Sequence, residues 1–306
     1  MRACQLLWIA TQPRLCPVEE KTSILRTTEP TDRPGFPKIT TRPKALLLPL
    51  PFRLLRPRRR HRLEREGLDL SRWRVAYNGA EPIRPATLHA FHEAFAGCGF
   101  RWRSFYPVYG LAEGTLVVSS GRRTCEPVII PASVAALAEG QVQSPTEAED
   151  SRQLVASGRP GFGTRVCIVD PELHRRLPDG AVGEIWVHSP SVTRGYWNRP
   201  DDTARTFGAA LADEPEIRWL RTGDLGAMRD GELFVAGRIK DVLIVHGLKY
   251  YPQDIEQAAE VRHPALRPGS SAAFAAGSAD GRERIVLVAE VDLRRLEIAG
   301  MRATDI

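Results

Sequence analysis

Apolar positions recur with recognisable periods from residue 68 onward, whereas residues 1–67 show none. Residues 85–96 place Leu88, Phe91, His92 and Phe95 at helical spacing, open with Pro85 and close on Gly97 and Gly99. That spacing predicts a helix. Shorter helices are expected at 201–207, just after Pro200, and at 253–261. Apolar, β-branched runs at 116–119, 165–169, 184–188, 232–235, 242–245 and 284–291 predict strands. Residues 73–77 predict one more, short and buried, ending at the Asn78-Gly79 turn signal. A turn around Pro178-Asp179-Gly180 joins the strands at 165–169 and 184–188. Strands and helices mixed in this order imply an α/β protein of more than one layer, without internal repeats.

Charge changes the picture mainly by where it sits. The 306-residue chain carries a net +6, but residues 1–67 hold 15 Lys and Arg against 6 Asp and Glu, so the remainder is net −3. The basicity is therefore confined to a segment that also holds 9 of the 24 prolines. Such a segment reads as disordered or misread rather than as an arm for nucleic acid or anionic lipid, and no nucleic-acid partner is expected. The five cysteines, Cys4, Cys16, Cys98, Cys125 and Cys167, include no Cys-x-x-Cys pair. This fits reduced thiols of a cytoplasmic protein better than a disulfide framework. No apolar run reaches the ~18 residues of a membrane span.

Four short stretches carry candidate chemistry. Asn78-Gly79-Ala80-Glu81-Pro82 is a junction where glycine lets backbone approach a flat ligand, although such turns are common. Tyr109-Gly110-Leu111-Ala112-Glu113 offers an aromatic for stacking and a carboxylate for Mg²⁺; the plain alternative is a buried Tyr and a solvated Glu. Thr222-Gly223-Asp224 puts a carboxylate beside a glycine, suited to a sugar diol or to a hairpin turn. Arg238 reads as a ribose or phosphate contact or as half of a surface ion pair. His89 and His92 lack a third ligand in sequence, and His92 reads as a packed helix residue. Gly158-Arg159-Pro160-Gly161-Phe162-Gly163 lacks the Lys of a phosphate loop and reads as a turn.

Taken together these stretches resemble the AMP-forming ligases, the superfamily of acyl- and aryl-CoA synthetases and peptide-synthetase adenylation domains. The narrower resemblance is to the fatty acyl-AMP ligases. It rests on residues 70–82, 107–113, Thr115-Leu116, 183–187, Gly195-Tyr196-Trp197 and Tyr251-Pro252-Gln253-Asp254-Ile255-Glu256, and spans roughly residues 66–292, about three quarters of the chain. It implies the C-terminal part of a large adenylate-forming domain over 68–237, mixed sheets with flanking helices, then part of a small α+β domain over 238–306. It implies that Gly79, Ala80, Glu81 and Pro82 line the adenine side with Tyr109 against the base. It further implies that Glu113 ligates Mg²⁺, that Asp224 holds the ribose hydroxyls assisted by Arg238, that Lys240 is the hinge between domains, and that Gly247 lies in the loop facing the pantetheine entrance. ATP and Mg²⁺ would be the cofactors. A fatty acid and an acyl carrier protein, or the carrier domain of a polyketide synthase, would be the partners.

The implied activity is ATP-dependent conversion of a fatty acid to acyl-AMP, followed by transfer to the carrier protein in lipid or polyketide biosynthesis. Two features of the family are not found. These are the Ser/Thr/Gly-rich phosphate loop that should precede Trp73 and the lysine of the small domain. Gly114 stands where Ala is usual, and Gly247-Leu248-Lys249-Tyr250-Tyr251 departs from the usual run. The sequence therefore reads as truncated at both ends, with apolar faces of 68–236 uncovered. An inactive fragment that retains adenylate or carrier-protein binding, and an acyl-CoA ligase, are the alternatives.

Overall fold

The computed structural model describes residues 67–292 apart from 148–149, 162, 246–247, 264 and 278–282. The basic, proline-rich segment, all but Gly67, and the loop glycine Gly247 lie outside the described residues. The strand expected at 73–77 begins later, as β1, Ala76–Asn78. The backbone just before it is engaged elsewhere. The Trp73 indole N–H donates to the Val75 carbonyl at 2.7 Å, and Ser104 Oγ donates to the Trp73 carbonyl at 2.7 Å.

Pro85, which fits the first helical turn because it has no N–H to satisfy there, opens α1, Pro85–Phe95, whose inner face buries Leu88 and Phe91. The chain returns as β2, Phe105–Tyr109, parallel to β1 with Ala76 opposite Phe105 and Asn78 opposite Pro107. Edge-to-face rings hold this β-α-β unit together: Trp73 lies 5.5 Å from Phe100, and Phe100 lies 4.9 Å from Phe105. Each such pair contributes about 0.5–1.5 kcal/mol beyond its buried area. The strand expected at 116–119 shrinks to β3, Ser119–Ser120, because Thr115 and Leu116 adopt φ of 56° and 84° and turn the chain back. After the hairpin of β4, Ile129–Ser133, and β5, Ser151–Val155, with α2, Val134–Ala138, between them, β6, Arg159–Pro160, completes the first sheet. Its order is β1-β2-β3-β6, so the stretch expected to be a mere turn supplies an edge strand.

The second sheet is antiparallel. It contains β7, Arg165–Val169, β8, Gly183–His188, and, after α3, Pro200–Phe207, strands β9, Ala209–Leu211, β10, Glu214–Arg229, and β11, Glu232–Arg238. The order is β11-β10-β8-β7, with β9 on β10. Buried Ile185, Val187, Leu220 and Leu233 pack one core with Tyr109, and Trp186 and Trp219 pack another. The C-terminal part is β12, Leu243–Val245, paired with β13, Leu248–Tyr250, then α4, Pro252–Arg262, and the hairpin of β14, Leu266–Gly277, with β15, Glu283–Val291. The architecture is α/β with mixed sheets and flanking helices, as expected.

Candidate functional site

The carboxyl ends of parallel β1 and β2 open side by side, the place where open α/β sheets receive ligands. β1 runs directly into Gly79-Ala80-Glu81-Pro82, and β2 ends on Tyr109. The chain passes so close to its neighbours here that side chains are excluded. A Cβ on Gly79 would stand 2.6 Å from the Val108 carbonyl oxygen, and one on Gly110 only 1.5 Å from that of Leu116. Ala80 takes φ of 68°, a left-handed conformation that costs a non-glycine residue energy and recurs at functional turns.

Asp224 reaches the same place from the second sheet. The sequence left Thr222-Gly223-Asp224 open between a diol-binding carboxylate and a hairpin turn; the structure puts it inside the long strand β10, as a bulge where the register against β8 shifts between Arg221 and Leu225. The bulge is built by Glu184, a charged residue in the buried strand β8 and itself only 2% exposed. Glu184 accepts from the Trp186 indole N–H at 2.9 Å, from the Gly223 N–H at 3.1 Å, and from Arg221, with which it forms an ion pair at 2.8 Å. Thr222 Oγ1 donates to the Ile185 carbonyl at 2.7 Å and accepts from the Asp224 N–H at 3.1 Å. A buried carboxylate survives only when its acceptor sites are filled, and filling them fixes the bulge that projects Asp224.

Three predicted residues meet there. The Tyr109 hydroxyl donates to Asp224 Oδ2 at 2.8 Å, and Arg238 Nε pairs with Oδ1 at 3.2 Å. Arg238 stands directly opposite Asp224 in the β10–β11 ladder. Burial raises the Asp224 pKa above its ordinary value, against the pull of Tyr109 and Arg238. Burial, and then the Asp224 charge, raise the Tyr109 phenol, so it stays protonated and remains a donor. The Asp224 side chain is 13% exposed while that of Arg238 is 72% exposed, so the carboxylate is sheltered and the guanidinium faces outward.

Glu113, Glu81 and Lys240 are not joined to that cluster by any hydrogen bond or ion pair among the described residues. Glu113 lies in the middle of the short 3-10 turn Ala112–Gly114, and its carboxylate accepts from the Tyr196 hydroxyl at 2.7 Å. The Glu113 carbonyl is tied to the Thr193 N–H at 2.8 Å, which anchors this turn to the loop bearing Tyr196. Among the described residues no cluster of three or more His, Cys, Asp or Glu is placed to hold a metal. A lone carboxylate nevertheless fits Mg²⁺ delivered with a nucleotide, since that ion takes one or two carboxylates and fills its shell with phosphate and water. Lys240 is exposed in the 3-10 turn Ile239–Asp241 that follows β11. His89 and His92 both lie against Trp102, with ring centroids 4.7 and 5.5 Å away.

The stretches that hold Glu184, Thr222 and Tyr196 stood out in the sequence, but nothing there gave these three residues a role at the site. The signal for Glu184 was present: a carboxylate opening an otherwise apolar, buried strand must be paired.

A family model described as AMP-binding enzyme matches residues 23–197. JamA of Moorena producens, a medium-chain-fatty-acid acyl-carrier-protein ligase, is 46% identical over 232 residues, 75% of this chain and 39% of its own length. A solved structure from work on fatty acyl-adenylate ligases of E. coli and L. pneumophila superimposes with a TM-score of 0.65 at 32% identity, covering 78% of this chain and 41% of that one. The L. pneumophila fatty acyl-adenylate ligase in complex with acyl adenylate and pyrophosphate gives 0.58 at 37% identity, covering 78% and 42%. The chain thus spans about two fifths of the length of these relatives. No helix among the described residues is long and apolar enough to cross a membrane.

Proposed function

The chain belongs to the family of AMP-binding enzymes, and on that premise we propose that it carries the nucleotide side of the active site of a fatty acyl-AMP ligase. The observation that carries this reading is the convergence of Tyr109, Asp224 and Arg238 at the carboxyl ends of β1 and β2. A carboxylate offers about four acceptor sites. Tyr109 and Arg238 take one each on the two oxygens, and the others suit the two hydroxyls of a ribose. Tyr109 and the tightly packed Gly79-Ala80-Glu81-Pro82 turn provide walls for a planar base. Outward-facing Arg238 adds positive charge where phosphate would leave the pocket.

The substrates on this reading are ATP and a fatty acid. A carboxylate oxygen of the acid attacks the α-phosphorus, the α–β phosphoanhydride bond breaks, and acyl-AMP and pyrophosphate form. Positioning and charge neutralisation supply most of the catalysis in such a step. Glu113, oriented by Tyr196, would hold Mg²⁺, which supplies neutralisation of the phosphate oxygens. The thiol of an acyl carrier protein then attacks the acyl carbonyl, a thioester forms, the acyl–phosphate bond breaks, and AMP and the thiol proton leave, in the cytoplasm where both ATP and carrier are found. We assign 68–237 to the large domain and the residues from 238 to the small one, with Lys240 as the hinge.

Fatty-acid-dependent exchange of labelled pyrophosphate into ATP tests the reading. Exchange by the chain is expected to require both fatty acid and Mg²⁺ and to fall at least about 100-fold in Asp224→Ala, in line with removal of a group that positions the nucleotide through its ribose. Exchange that is unaltered in Asp224→Ala overturns it. Transfer to CoA in preference to carrier protein would redirect the second half-reaction.

A further inference from the structure

Tyr196 reaches Glu113 from a loop outside the two sheets. Its hydroxyl donates to Glu113 Oε1 at 2.7 Å, while Oε2 has no partner among the described residues. Glu113 is only half-buried, so that second oxygen stays open to an incoming cation. The tyrosine is firmly seated. Thr203 Oγ1, from α3, accepts from the Tyr196 N–H at 2.9 Å, and Phe207 of the same helix packs edge-to-face on the ring at 5.2 Å. Gly195 permits this approach, since a Cβ there would stand 2.2 Å from Thr203 Cγ2. The two backbones are joined as well. The Thr193 N–H donates to the Glu113 carbonyl at 2.8 Å, and Ser191 Oγ to the Gly114 carbonyl at 3.0 Å. Tyr196 is therefore held against one chosen oxygen of Glu113 by α3 and its own loop.

A carboxylate with one oxygen already hydrogen-bonded meets a cation through the other oxygen alone. Mg²⁺ accepts that, because its tight octahedral shell takes few protein ligands and is completed by phosphate and water. Ca²⁺ is larger, gathers about six to eight oxygens and readily takes both from one carboxylate. We propose that Tyr196 is a positioning residue that sets metal preference: by occupying Oε1 it makes Glu113 a one-oxygen ligand, which suits Mg²⁺ arriving with a nucleotide and disfavours Ca²⁺. This rests on the adenylate-site reading and adds a specificity-determining residue to it.

The test is calorimetric titration of the full chain with ATP at saturating Mg²⁺ and at saturating Ca²⁺, without fatty acid, so that binding and not turnover is read. Native protein is expected to bind the Mg²⁺ complex at least about tenfold more tightly than the Ca²⁺ complex. Tyr196→Phe keeps the ring and its packing on Phe207. It should lose about tenfold in affinity for the Mg²⁺ complex, the lower end for removing a group that orients a metal ligand, while binding the Ca²⁺ complex as well as before or better. Thr203→Val, which removes the hydrogen bond that seats Tyr196, should shift the ratio the same way. Equal affinity of native protein for the two complexes overturns the proposal even if neither variant folds. A ratio unchanged in either variant, with ATP binding still lost in Asp224→Ala, also overturns it while leaving the nucleotide site standing. An equal fall for both complexes makes Tyr196 structural and overturns it too. No ATP binding by native protein would remove both readings.

Discussion

Asp224 is held in competition: burial favours its neutral form, while the Tyr109 hydroxyl and the Arg238 guanidinium favour the carboxylate. Burial wins, so the native pKa lies above the ordinary 3.8 and the folded state binds a proton more readily than the unfolded chain. Stability from this group is therefore fully present below pH 3.8 and is lost as pH rises through the native value. Asp254, also raised by burial, acts in the same direction, whereas Asp69, Asp150 and Asp170 are lowered by hydrogen bonds and act oppositely. Only the first contribution disappears in Asp224→Asn. The Tm of Asp224→Asn relative to native should rise as pH goes from about 4 to 7, read by calorimetry; a constant difference would contradict the burial assigned to Asp224. Gly110→Ala tests the backbone instead. With the Leu116 carbonyl 1.5 Å from the new Cβ, it should cost at least about 3 kcal/mol in urea unfolding, and near-native stability would refute that packing. Tyr109, Asp224 and Arg238 were legible because each sits in a short motif of fixed order.

Elements show the limits of pattern more clearly. Helices α1, α3 and α4 were readable because each begins with proline. Strand β2 was not, because Pro107 stands in its middle, and β14 is too rich in Ala, Ser and Gly to show alternation. Strand β10 was hidden by Pro215, Gly223 and Gly226 and by the bulge itself, which breaks the period of two. That bulge depends on one buried carboxylate from the neighbouring strand. Glu184→Ala leaves the Trp186 indole N–H and the Gly223 N–H unpaired and Arg221 without its partner. We expect a loss of more than about 2 kcal/mol in urea unfolding and, because Asp224 loses its mounting, an AMP affinity at least about tenfold lower. Intact AMP affinity in a destabilised Glu184→Ala would separate the bulge from the site.

Across the whole molecule, α4 is tied to the first part of the chain by Arg84–Glu260 at 3.4 Å and by the Arg152–Asp254 pair. Glu260 is nearly buried and also accepts from the Ser271 hydroxyl at 3.0 Å, so it is a junction rather than a surface charge. Replacing both Arg84 and Arg152 by Ala should speed amide exchange across α4 while leaving the buried strands β7 and β8 as protected as before. Equal protection of α4 in the variant would show that these pairs do not hold it. The ion pairs that tie α4 to the first part of the chain were not legible in the sequence, because their partners lie 102 and 176 residues apart. Net charge carries little information at this scale, since the +6 of the chain is set by residues 1–67, apart from the candidate site.

The most direct measurement is mass-spectrometric detection of acyl-AMP after the chain is mixed with ATP, Mg²⁺ and a medium- or long-chain fatty acid. The account predicts a product of acyl-AMP mass that disappears in Asp224→Ala. No product from folded protein, or product undiminished by that substitution, would contradict it.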